Sequence, residues 1–156
     1  MKFIPLILLT LATFVGCNDG SEETQQSAAS SAVTQNTGSP ERWYSQPQVE
    51  RGSQVFSENC AVCHGDQAQG LTENWKQRLD DGSFPAPPLN GSAHAWHHSL
   101  ALLTEVVEKG GTAFGGKMPP FADVLTDDDK QAAIAYFQSF WDEDTYLGWL
   151  DVGGVD

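Results

Sequence analysis

Cys60 and Cys63 stand three apart, with His64 directly after, in the run CAVCH. Two thiols and an imidazole at this spacing can do three things. They can clip a metal ion, form a redox disulfide, or anchor a haem whose iron the histidine ligates. A structural zinc site needs four ligands. The further donors would be His94, His97 and His98 in HAWHH, but 30 residues separate Cys63 from His94. That is about twice the 12–15 of the zinc-finger pattern. A thioredoxin-like disulfide wants a βαβ setting, and no stretch reads as a strand. The pattern C-x-x-C-H is the attachment sequence of c-type haem, in which both thiols add to the porphyrin vinyls. The only other cysteine, Cys17, lies far off in an apolar N-terminal run.

A second candidate donor is Met118, the one methionine besides Met1, in GGKMPPF. A methionine on a helical stripe is usually core filler. This one stands in a Gly/Pro loop, where a soft thioether can be held against low-spin haem iron.

The elements that must position these groups follow from periodicity and capping. Val49, Gly52, Phe56 and Cys60 recur at helical intervals and predict a short helix leading into CAVCH. Gly52 on that apolar face predicts a close approach of another element. Residues 65–92 are rich in Gly, Pro, Asp and Asn and predict a long loop. A second helix is predicted from the Ser99 cap to about Lys109, with Leu100, Leu103 and Val107 on one face and Gly110-Gly111 ending it. A third is predicted from Asp127 to about Trp141, started by TDDD, with Ala133, Tyr136, Phe137 and Phe140 facing inward. The fold class is all-α with long loops. Short helices and a loop of that length make a thin core, which a large apolar cofactor would fill.

From about Pro47 to Trp141 the chain resembles a class I monohaem cytochrome c. Gly52-x-x-x-Phe56 is similar to the family's N-terminal helix motif, and Tyr136 in AIAYF to the aromatic of the C-terminal helix that meets it. The resemblance implies one covalent haem c on Cys60 and Cys63, with His64 as proximal and Met118 as distal ligand. In APPLNG it implies Pro87 as the carbonyl acceptor for the proximal imidazole and Leu89 as a haem-packing residue. It implies Trp96 as a hydrogen-bond donor to a haem propionate. TENWKQRLDDGSFPA and the chain beyond Trp141 depart from the family pattern. HAWHH also lies outside the quoted motifs, and its histidines read equally as polar surface residues.

The chain has 156 residues and a formal net charge of −13. Such a surface repels nucleic acid and anionic lipid; it steers towards a redox partner with a basic docking patch, or equally serves solubility alone. Residues 1–16 have the layout of a secretory signal. VGC resembles the lipobox of bacterial lipoproteins, with Phe14 where that family usually has Leu, so Cys17 is expected to carry lipid; the alternatives are an uncleaved anchor and an ordinary signal with a coincidental cysteine. Residues 17–46 are expected to form a tether, since 18–40 is Ser, Thr, Gln, Ala and Gly with few large apolar residues. As a flexible coil that stretch spans about 25 Å. The cytochrome domain is expected at 47–141 and an acidic tail at 142–156. Together these imply a lipid-anchored, periplasm-facing single-electron carrier rather than an enzyme. The alternatives are a haem peroxidase or gas sensor with a displaceable methionine, and an electron-transfer subunit of a larger oxidoreductase.

Overall fold

The computed structural model describes residues 40–156; the signal-like run, Cys17 and most of the expected tether lie outside the described residues. Five α-helices make up the fold, and no strand occurs among the described residues. No helix among these residues is long and apolar enough to cross a membrane.

Helix α1, Gln46–Asn59, starts with a reciprocal capping box: the Ser45 side chain accepts from the Gln48 backbone, and the Gln48 side chain accepts from the Ser45 N–H. Pro47 sits in its first turn, where a missing N–H costs nothing. Val55 and Phe56 are buried, while Val49 and Cys60 are half-buried. Helix α2, Ala61–His64, is one turn carrying the end of CAVCH. Residues 65–94 then run without helix or strand, ending in a short 3₁₀ turn at Ala95–His97. Helix α3, Leu100–Lys109, is capped by the Ser99 hydroxyl, which accepts from the Leu102 N–H.

Helix α4, Asp127–Gln138, is capped by Thr126, with Asp127, Asp128 and Asp129 in its first turn against the positive end of the helix dipole. It ends three residues short of the expected Trp141, and Phe140 lies outside it and is exposed. Its buried face holds Ala132, Ala133, Ile134, Ala135 and Phe137. α1 packs chiefly on α4. The two helices cross at Gly52, where a Cβ would come within 1.9 Å of the Ala132 carbonyl oxygen and 2.9 Å of the Tyr136 Cβ. Only a residue without a side chain permits that approach. The rings of Phe56 and Tyr136 meet beside it at 5.2 Å, tilted by 49°.

The packed structure extends past both ends of the 47–141 region. The acidic stretch after Trp141 forms α5, Glu143–Asp151, capped by Asp142, and its Tyr146 and Trp149 are fully buried. The physical reason is an amphipathic pattern within an acidic segment: Tyr146, Trp149 and Leu150 share one face, and Glu143, Asp144 and Asp151 are exposed. At the other end, residues before Pro47 are held as well. The Trp43 backbone N–H donates to the Tyr146 hydroxyl at 2.9 Å, its indole N–H donates to Gln138 Oε1 at 2.6 Å, and Arg42 lies over the Tyr146 ring. The main core thus joins Phe56, Leu103, Ile134 and Phe137 to Trp141, Tyr146 and Trp149.

Candidate functional site

The turn from α1 into α2 carries both thiols and the imidazole. The Cys63 and His64 N–H groups donate to the Cys60 carbonyl at 3.1 and 2.9 Å, so the motif is wound into a single turn. Both cysteines are free; Cys60 is half-buried and Cys63 exposed. Burial pushes the Cys60 thiol up to about 11, with neighbouring Cys63 adding to the shift. Cys60 is therefore a neutral thiol at neutral pH.

His64 is buried. Its Nδ1 lies 2.9 Å from the Pro87 carbonyl oxygen. A carbonyl only accepts, so this contact requires the proton on Nδ1 and leaves the lone pair on Nε2. Burial lowers the imidazole pKa and so favours the neutral ring, an effect the bond to Pro87 partly offsets. A neutral imidazole with a free Nε2 is the form that binds a metal.

The loop after His64 is folded back on itself. Gly70 N–H donates to the His64 carbonyl at 2.6 Å, and Leu89 and Asn90 N–H both donate to the Ala68 carbonyl, at 2.7 and 3.2 Å. Ala68 is fully buried with a left-handed φ of 56°. The Tyr136 hydroxyl donates to the Asp66 carbonyl at 2.8 Å, tying α4 to the same loop.

Leu89 and Trp96 are half-buried against the main core. Trp96 stacks on His97 at 3.6 Å. His94 stacks on Trp75 at 4.9 Å, and His98 meets His94 edge-on at 5.3 Å. Trp75 belongs to the stretch that departs from the family pattern, so His94 packs on that stretch. Among the described residues no group of three or more His, Cys, Asp or Glu side chains is placed to hold a metal ion.

Met118 is half-buried against a second, smaller apolar group of Val55, Phe121, Leu125 and Ala133. Val107 touches both groups. The Met118 loop is closed by its own backbone: Gly111 N–H donates to the Met118 carbonyl at 3.0 Å, and Gly116 N–H to the Gly111 carbonyl at 3.1 Å. Lys117 pairs with Asp81, fastening this loop to the insertion.

One residue close to this site escaped the reading of the motifs. Trp141 is buried, and its indole N–H donates to the Leu89 carbonyl at 2.7 Å. The signal was present in WDEDTYLGWL, where an Asp cap precedes aromatic residues at helical spacing, but it lies beyond the quoted motifs.

Residues 47–137 match the family described as cytochrome C oxidase, cbb3-type, subunit III. Over 95 residues the chain is 34% identical to the cbb3-type cytochrome c oxidase subunit FixP of Sinorhizobium medicae (strain WSM419), covering 58% of this chain and 29% of that one. Over 71 residues it is 38% identical to the cbb3-type subunit CcoP of Rhodobacter capsulatus, covering 46% and 20%. The chain thus spans less than a third of the length of either relative. The crystal structure of cytochrome CL from the marine methylotrophic bacterium Methylophaga aminisulfidivorans MPT superposes with a TM-score of 0.50 at 20% identity, covering 72% of this chain and 67% of that one. At that identity the likeness concerns the fold.

A cytochrome c domain implies a covalently held haem c, and the donor set suits it. Two free thiols flank a single helical turn, and the next residue is a buried neutral imidazole whose Nε2 is left unprotonated by its Nδ1 bond. With an all-helical fold, a family match over most of the folded region, and residues suited to that cofactor, this chain belongs to the cbb3-type cytochrome c oxidase subunit III family through its cytochrome c domain.

Proposed function

We propose that this chain is a single-electron carrier of the extracytoplasmic space, built on one haem c. Cys60 and Cys63 would hold the porphyrin through their thiols, and His64 and Met118 would be the two protein ligands of its iron. The bound group supplies a one-electron ferrous–ferric couple. The observation that carries the reading is the Nδ1 contact of His64 with Pro87 at 2.9 Å, one residue after the second thiol. It aims a lone pair and raises the basicity of the ligand, as outer hydrogen bonds do in metal sites.

The remaining residues serve this role by exclusion and support. The Met118 loop, closed by Gly111 and Gly116 and fastened through Lys117 to Asp81, holds the thioether in place. Leu89 and Trp96 border the core beside the proximal segment. Two protein ligands leave no position open for substrate, which suits a carrier rather than an enzyme. A net charge of −13 favours brief, charge-steered encounters with a basic redox partner. Residues 1–16 act as a lipoprotein signal, and lipid on Cys17 with a tether ending near Pro40 keeps the domain at the periplasmic face of a membrane.

A second reading is favoured by the FixP and CcoP matches: the domain is an electron-entry module of a respiratory oxidase. Purification from native membrane separates the two, since a module travels with its oxidase and a free carrier does not.

Met118→Ala tests the carrier assignment. The haem stays attached, because the thioethers and His64 are untouched. The potential falls, since the ferrous-favouring thioether is lost. Cyanide and carbon monoxide bind far faster than to the unmutated chain. If the unmutated chain binds them as fast as the variant, Met118 is no ligand and the carrier assignment is wrong.

A further inference from the structure

The Pro87 carbonyl can tune His64 only if it is held still, and its own stretch of chain is poorly equipped to hold it. Pro85, Pro87 and Pro88 have no backbone N–H, so Ala86 alone can donate within that run. The nearest residue gripped at both its N–H and its carbonyl is Leu89. Its N–H donates to the Ala68 carbonyl at 2.7 Å, and its carbonyl accepts from the Trp141 indole at 2.7 Å.

The second grip belongs to a part of the molecule outside the matched residues 47–137. Trp141 follows α4 and is 2% exposed. Trp149 of α5 meets its ring edge-on at 6.0 Å, and the Trp149 indole N–H is fixed on the His98 carbonyl at 2.8 Å. On the other side Gly91 has φ +94°, and a Cβ there would stand 3.2 Å from Trp141 Cδ1. The absence of that side chain lets the indole lie against the 89–91 backbone.

Resting on the haem reading above, we infer that Trp141 is a positioning residue for the proximal ligand. Its indole N–H holds the Leu89 carbonyl, and so fixes the Pro87 carbonyl on His64 Nδ1. A firm bond there makes the imidazole a stronger donor and favours the oxidised ion. Helix α5 is then a brace for the redox centre as well as a core element. Loosening the grip weakens the His64–Pro87 bond and raises the potential.

Trp141→Phe in the full chain with haem attached is the test. Phe fills most of the space and removes only the N–H and part of the ring. The expected result is an upward shift in potential. Exchange of the His64 Nδ1 proton, followed by NMR in the reduced form, speeds by up to about tenfold, the factor one net hydrogen bond supplies. Gly91→Ala, which presses on the indole while leaving the N–H in place, shifts both readouts the same way and carries the test if Trp141→Phe does not fold. Ile134→Val removes a core methylene and leaves both hydrogen bonds of Leu89 in place; it lowers the melting midpoint and leaves both readouts at their unmutated values. Unchanged potential and exchange in a haem-loaded Trp141→Phe protein overturn the inference. An equal shift in Ile134→Val also overturns it, because the effect is then general softening. Failure of the unmutated chain to bind haem covalently overturns the haem reading instead.

Discussion

Gly52 shows how one missing side chain sets the spacing of the two central helices. The space its Cβ would take is already filled by the Ala132 carbonyl and the Tyr136 Cβ. Gly52→Ala therefore forces α1 and α4 apart, against the usual gain of Ala in a helix. Overpacking of this kind costs about 1–3 kcal/mol, to be read from the urea midpoint of the haem-loaded protein. The histidines of HAWHH give a pH-dependent counterpart. Burial first, then the charges of neighbouring histidines, hold His94 and His98 below the ordinary histidine value, with Lys76 adding to the shift at His94. The unfolded chain then binds more protons than the fold between the ordinary value, about 6.5, and the lowered ones. Their contribution to stability is present above about pH 6.5 and is lost as pH falls through the lowered values. Urea midpoints should drop between pH 7.5 and 5.5, and drop less in the double variant His94→Asn/His98→Asn. Equal slopes for the two proteins would show that the Trp75–His94 stack carries no such linkage.

At the scale of elements, α5 is the addition that changes the molecule. Asp142 caps it, and Glu143 and Asp144 sit in its first turn. These caps start a nine-residue helix, too short to stand alone in water. Its stability comes from tertiary burial of Tyr146 and Trp149. Trp149→Ala removes one of the largest buried side chains and the bond to the His98 carbonyl. Loss of a buried aromatic of this size costs about 3–5 kcal/mol, and calorimetry of the haem-loaded variant should show a correspondingly lower melting temperature. A loss below about 0.5 kcal/mol would mean that α5 is only loosely docked, since that is the scale of an ordinary surface change.

For the whole molecule, the proposal of a tethered carrier rests on residues at two ends of the chain's logic. The folded unit carries the redox site, and Cys17 is read as its point of attachment. Cys17→Ser is expected to move the protein from the membrane to the soluble fraction, with its haem spectrum unchanged. Retention of the variant at the membrane with the first 16 residues still present would identify the apolar run as a plain anchor. Stable lipid attachment takes more than one chain, so partial release by the single change would point to a further membrane contact.

The sequence by itself determined the local features. Ser99 and Thr126 each cap a helix at the end where their position in the chain puts it. The all-α class, the Gly52 approach and the long loop after His64 were legible for the same reason: periodicity, caps and breakers act within a few residues. The spacing of Cys60, Cys63 and His64 named a chemistry before any contact was known, because three residues on one helical turn are neighbours by covalent geometry. Tertiary structure alone decided the rest. That the chain beyond Trp141 belongs to the core, that Trp43 closes onto Tyr146 and Gln138, and that Trp141 grips Leu89 are facts of pairs 103, 95 and 52 residues apart. An aromatic residue in an acidic segment reads the same whether it faces water or a partner. Only the packing of α5 against the Ala95–His97 turn, Trp43 and Trp141 supplies the partner, and with it the reason those aromatic side chains are buried.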